Sequence, residues 1–209
     1  MNKLERDIFS AHDKGVLSAL RSSTVAIAGA GGLGSNIAVS LARAGVGRLI
    51  IADFDKIEPS NLNRQQYTVK QIGLRKVKAL RALLKQIAPF TKVKAWDEKV
   101  KPKNIEMLFG EADILMEAFD KAEEKSMLIN GWLRLHPDRP IIAASGLAGY
   151  GGNSRLRTQR IGNLHICGDG ESVCPPGISP MAPRVALVAN MQANLAVELL
   201  VRSKKAADR

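Results

Sequence analysis

The strongest constraint in this chain is a glycine-rich hexapeptide set between two kinds of apolar run. TVAIA (Thr24–Ala28) is β-branched and small, and GAGGLG (Gly29–Gly34) follows at once. Ser35–Ala44 is helical in composition and stops at Gly45, and RLIIAD (Arg48–Asp53) is a second buried-strand run ending in an acid. Gly29, Gly31 and Gly34 match G-x-G-x-x-G, and Asp53 lies 19 residues beyond Gly34. That order is the βαβ unit of nucleotide-binding proteins. Its glycines allow a tight turn and close backbone approach, the helix start offers N–H donors to an anion, and the acid can take two ribose hydroxyls. The motif by itself does not separate NAD from ATP.

The rest of the chain continues the alternation. Leu74–Ala88 reads as a helix stopped by Pro89, Val93–Val100 as a strand, Lys103–Phe109 as a short helix and Asp113–Glu117 as a strand. Lys121–Leu135 is helical and Pro140–Ala144 a strand; Gly149–Cys167 is glycine-rich, then alternating. Cys174–Pro183 is a Pro/Gly-rich loop, and Pro183–Arg202 a long helix with proline near its first turn. Residues 2–20 have the spacing of one amphipathic helix, weakened by Gly15. The expected fold is α/β: a Rossmann-like, mostly parallel sheet with helices on both faces, plus C-terminal antiparallel strands and a long terminal helix. The expected organisation is an N-terminal helical extension (1–22), a nucleotide-binding core (23–146), and C-terminal strands and helix facing a partner (147–209).

The 209 residues carry a net charge of +11. Between Arg64 and Lys103 there are 12 basic residues against two acidic ones, Asp97 and Glu98, so nearly all the excess sits in one stretch. Such a stretch can meet nucleic acid, polyphosphate or an acidic protein. Aromatics make up only 4%, and no recognised nucleic-acid reading motif is present, which counts against nucleic acid. No run of 18 apolar residues exists and no signal peptide precedes the core, so no membrane role and a cytoplasmic setting are expected.

DFDKIEPSNLNRQ (Asp53–Gln65) narrows the choice of nucleotide. With GAGGLGS, Gly73–Val77 (G-x-x-K-V) and EAFD (Glu117–Asp120), it resembles the ubiquitin-activating superfamily, the family of bacterial ThiF, MoeB and HesA proteins. The later segments GLAGYGGNSRLRT, ICGDG and MAPRVA look most like the short ThiF subgroup. The resemblance implies an adenylyltransferase in which a carboxylate attacks the α-phosphorus of ATP and pyrophosphate leaves. It further implies a ThiS-like, β-grasp sulfur carrier ending in Gly-Gly as substrate, thiamine thiazole synthesis as the setting, Mg²⁺, and a homodimer. A molybdopterin-synthase carrier or a tRNA-linked carboxylate are the alternatives within the same chemistry.

On the matching positions, Gly29, Gly31, Gly32 and Gly34 fall in the ATP turn and Asp53 is the ribose carboxylate. Asn61 is a phosphate ligand, Arg64 and Lys76 are the phosphate cations, and Asp120 is the Mg²⁺ acid. Lys76 is supported without the family. At 100° per residue it lies about 40° from Leu80, on the apolar face of its helix, a costly place for a lysine that meets no anion. Relatives borrow a partner-subunit arginine for the phosphates; Arg6 and Arg21 are candidates that no motif selects.

Cys167, flanked by glycine, is a candidate for a sulfur-linked intermediate, and a small buried hydrophobe at a strand end is the favoured reading of it. Cys167, Cys174 and His165 give three candidate metal ligands without a fourth, so no structural zinc is expected. Arg155, Arg157 and Arg160 stay open between partner contact and solubility. An NAD-dependent oxidoreductase is the rival from another class; it leaves Arg64, Lys76 and Asp120 without roles.

Overall fold

A computed structural model describes residues 3–177 and 180–207. Seven strands form one sheet: β1 (Thr24–Ala28), β2 (Arg48–Ala52), β3 (Lys92–Trp96), β4 (Ile114–Glu117), β5 (Ile141–Ala144), β6 (Arg157–Ile161) and β7 (Leu164–Gly168). Their order is β3-β2-β1-β4-β5-β7-β6. All pairings are parallel except β6 with β7, which run antiparallel as the alternating tail requires. Strand order reverses between β1 and β4. In open α/β sheets the crevice at such a reversal, beyond the strands' C-terminal ends, is where ligands bind.

The period-2 alternation of the central strands divides the core. Val25 and Ile27, with Leu49 and Ile51, face one layer, while Ala26 and Ala28, with Ile50 and Ala52, face the other. The first layer is covered by α2 (Lys14–Arg21), α3 (Gly32–Ala44), α4 (Lys76–Ile87) and α7 (Ala182–Ala207). The second is covered by α5 (Ile105–Phe109) and α6 (Ala122–Leu135), whose Trp132 and Phe109 are fully buried. Among the described residues α7 alone has the length and hydropathy to cross a membrane. Val185, Val188, Ala189, Ala193, Ala196 and Leu200 of that helix are buried in the first layer.

Several boundaries differ from expectation. The N-terminal helix breaks into α1 (Lys3–Ile8) and α2, because the Asp13 carboxylate accepts the Val16 N–H at 3.0 Å and caps a new start. Helix α3 begins at Gly32, three residues early, so the glycines themselves make its first turn. Helix α4 begins at Lys76 because Arg75 is extended (ψ 128°) and bridges to Lys56. The strand expected over Val93–Val100 is Lys92–Trp96. The loop expected over Cys174–Pro183 lies in part, at 178 and 179, outside the described residues.

Candidate nucleotide site

The four glycines do two different jobs. Gly29 has φ +101°, and a Cβ there would come 2.8 Å from the Ala118 carbonyl oxygen. A Cβ on Gly34 would lie 1.9 Å from the Gly29 carbonyl oxygen, so these two glycines let strand, turn and helix close on one another. Gly31 instead has only the Gln65 amide near its Cβ position, at 3.8 Å, and it caps α3 with no side-chain hydrogen bond. Gly32 keeps room for Arg64 and Val185, whose nearest atoms lie 3.4 and 3.2 Å from its Cβ position. The uncapped helix start, with its positive dipole end, has the character that suits an anion.

Asp53 is pinned beside it. Its Oδ2 accepts the Ala30 N–H at 2.7 Å and its Oδ1 the Asp55 N–H at 2.7 Å. Burial raises its carboxyl above the ordinary aspartate value, against the lowering effect of those hydrogen bonds and of Lys76. Each oxygen keeps capacity for one further donor, which suits a ribose diol.

Lys76 is buried, as its place on the apolar face predicts, and its Nζ meets the Asp55 carboxylate at 2.8 Å. The anion that justifies this lysine is therefore, in this structure, a side chain that the sequence reading did not single out. Arg64 is half-buried and donates from Nη1 to the Ser60 carbonyl at 3.1 Å and to Asn63 Oδ1 at 2.7 Å. Asn61 was expected at the phosphates; its Oδ1 accepts the Glu58 N–H at 3.1 Å and closes the turn Pro59–Asn61. Asp120 stands exposed just past β4.

Three further residues shape the site. The Tyr67 hydroxyl donates to the Ala30 carbonyl at 2.6 Å, and burial followed by the Asp53 charge pushes its phenol far above the usual value. Gln65 is buried against Gly31, with an Oε1 that has no hydrogen-bond partner among the described residues. Asn36 donates to the carbonyls of Gly32 at 2.6 Å and Arg64 at 3.2 Å, stitching the 61–67 loop to the turn. Gln65 is the last residue of the quoted Asp53–Gln65 motif, which is the signal that could have found it.

Cys167 does not join these groups. Alternation along β7 turns it into the first core layer at 0% exposure, 3.6 Å from Thr158, and burial raises its thiol above the usual value. That is the environment of a core side chain, and it withholds the sulfur from a macromolecular substrate.

No cluster of three or more His, Cys, Asp or Glu side chains that could hold a metal occurs among the described residues. Asp120 fits a magnesium ion that arrives with nucleotide phosphates, since Mg²⁺ is commonly held by one or two carboxylates plus phosphate oxygens.

The chain is 29% identical over 181 residues to adenylyltransferase and sulfurtransferase UBA4 of Candida glabrata, matching 83% of this chain and 41% of that protein. It is 32% identical over 151 residues to tRNA threonylcarbamoyladenosine dehydratase of Bacillus subtilis, matching 71% of this chain and 59% of that one. The chain thus spans less than two thirds of the length of both curated relatives. The solved structure of the Escherichia coli tRNA threonylcarbamoyladenosine dehydratase TcdA in complex with AMP superposes with a TM-score of 0.88 at 19% identity, covering 98% of each chain. The ThiF family model matches residues 4–208. With the glycine turn, the pinned Asp53 and the buried Lys76 all within that match, the chain belongs to the ThiF family.

Proposed function

We propose that the chain adenylates a carboxylate with ATP and releases pyrophosphate. The observation that carries this reading is the gathering, at the reversal between β1 and β4, of an uncapped helix start, a ribose-type acid and a buried lysine. A carboxylate and a triphosphate repel each other, and charge grows on the departing pyrophosphate, so fixed cations matter more than a strong base. The α3 turn holds phosphate oxygens through backbone N–H groups. Asp53 takes the ribose hydroxyls. Lys76, exchanging Asp55 for phosphate, and Arg64 neutralise charge as the substrate carboxylate oxygen attacks the α-phosphorus and the α–β anhydride bond breaks. Asp120 would hold Mg²⁺, which when bound supplies further neutralisation of the phosphates.

The substrate in this reading is a small ThiS-like sulfur carrier ending in Gly-Gly, acting in thiazole synthesis, with a homodimer as the working unit. A second reading keeps the chemistry and changes the acid to a carboxylate carried on tRNA. The Bacillus subtilis relative and the basic stretch from Arg64 to Lys103 favour it. ATP–pyrophosphate exchange tests both. Exchange that depends on a Gly-Gly carrier supports the first; exchange that depends on tRNA bearing a carboxylate-modified nucleoside supports the second. NAD binding without exchange under either condition refutes adenylation.

A further inference from the structure

A fully buried carboxylate at the end of β4 has no part in the steps above. Glu117 Oε1 accepts the Phe119 N–H at 2.7 Å and the Lys125 ammonium at 3.1 Å, while Oε2 accepts the same ammonium at 2.8 Å. The Ala144 N–H at the end of β5 also hydrogen-bonds it. From the other face of the sheet, Gln192 of α7 donates to the Glu117 carbonyl at 3.2 Å and to the Ile142 carbonyl at 3.1 Å. Glu117 thereby joins β4, β5, α6 and α7 with the segment that follows it.

Burying a carboxylate is costly, and an apolar side chain would pack the same place at less expense. What the carboxylate adds is a hold on the backbone of Ala118–Asp120. That segment is one wall of the glycine turn: the Ala118 oxygen and the Phe119 ring lie 2.8 and 3.4 Å from the Gly29 Cβ position. Its last residue is the exposed Asp120. We propose that Glu117 is a positioning residue which, clamped by Lys125, fixes the Ala118–Asp120 segment so that Asp120 is presented at the edge of the nucleotide turn. This deepens the adenylation reading and rests on it. A carboxylate that orients the backbone carrying a metal-binding acid acts as outer-shell partners do, and losing such a partner costs about 10- to 100-fold in metal affinity or activity.

The test uses the full chain, ATP and Mg²⁺. ATP affinity is measured by calorimetry with and without Mg²⁺ for wild type and Glu117→Gln, beside the thermal midpoint of each. Glu117→Gln is expected to bind metal-free ATP within about threefold of wild type and to lose about 10- to 100-fold of the gain that Mg²⁺ adds, with KM for ATP in the Mg²⁺-dependent exchange rising alongside. Lys125→Gln attacks the pair from its other side and is expected to do the same. The double variant is expected to be no worse than either single one, because the two side chains act as a unit. A Mg²⁺ gain absent from wild type, or intact in both variants, overturns the proposal. So does a loss of Mg²⁺-free and Mg²⁺-bound affinity in equal proportion, which marks a purely structural pair. Wild-type chain that binds no ATP overturns the adenylation reading itself, a result distinct from wild type that binds ATP beside unaffected variants.

Discussion

Lys76→Met separates a lysine kept for the nucleotide from one kept for the fold. The Lys76 side chain is 8% exposed and its ammonium sits 2.8 Å from Asp55, whose side chain is 50% exposed. At an effective dielectric near 20 the Coulomb attraction at that distance is about 6 kcal/mol. Desolvating the ammonium costs several kcal/mol in the opposite direction. Water around Asp55 screens what is left, so the net value of the pair lies within about 1 kcal/mol of zero. Methionine keeps the apolar stem in the first core layer. The thermal midpoint is therefore expected to move by no more than about 4 °C in either direction. The nucleotide loses one charge-assisted hydrogen bond, about 1.5–3 kcal/mol, which is about 10- to 150-fold in ATP affinity. Scanning calorimetry and ATP titration on the same preparations read both quantities. Unchanged ATP affinity together with a fall of more than about 8 °C would refute the reasoning and leave Lys76 as the structural counter-ion of Asp55.

Gly34→Ala places a methyl group 1.9 Å from the Gly29 oxygen, and since backbone must move it should cost about 1–3 kcal/mol and weaken ATP binding; calorimetry with wild-type values for both would refute it. Tyr67→Phe leaves the Ala30 carbonyl without its buried donor and should lower stability by about 1–3 kcal/mol, read by urea unfolding. Glu111 is held down to about 2 by hydrogen bonds from Arg48 and Lys94. Its unfolded value is about 4.3, so between the two the unfolded chain binds the extra proton. The stability this carboxylate adds is complete above the unfolded value and is lost as pH falls towards 2. Glu111→Gln should flatten the thermal midpoint over that window, and added salt should shrink the difference, because the group is exposed.

The central architecture was legible because it rests on short-range pattern. TVAIA, the glycine turn and RLIIAD declare themselves through composition and period, and Lys76 through its place among leucines. Other features depend on pairings that a linear pattern does not carry. The break at Asp13 turns on a cap competing with a continuing apolar stripe. Asp55, as the partner of Lys76, becomes visible only when the loop after β2 is brought against the start of α4. Asn61 was read as a ligand because its motif is known, while locally its side chain closes a turn. Cys167 lies in the core, as its favoured reading as a small buried hydrophobe had it, because strand alternation sends it inward. Glu117 stood inside a quoted motif, and nothing in its neighbours' identities announced a buried carboxylate.

The place of β1 in the sheet carries a consequence for how the molecule assembles. The Thr24 N–H is held by Asp113, 89 positions along the chain, and the turn that follows β1 is walled by Ala118. No local segment can therefore build the nucleotide seat by itself; it exists only after a long loop has closed and β4 has docked, a slow entropic step in folding. A ligand that recognises the finished seat ignores every partly folded form, and at 100 times its Kd it favours the completed chain by about 2.7 kcal/mol. On the adenylation reading, nucleotide would therefore brace only those chains whose two halves of sheet have met.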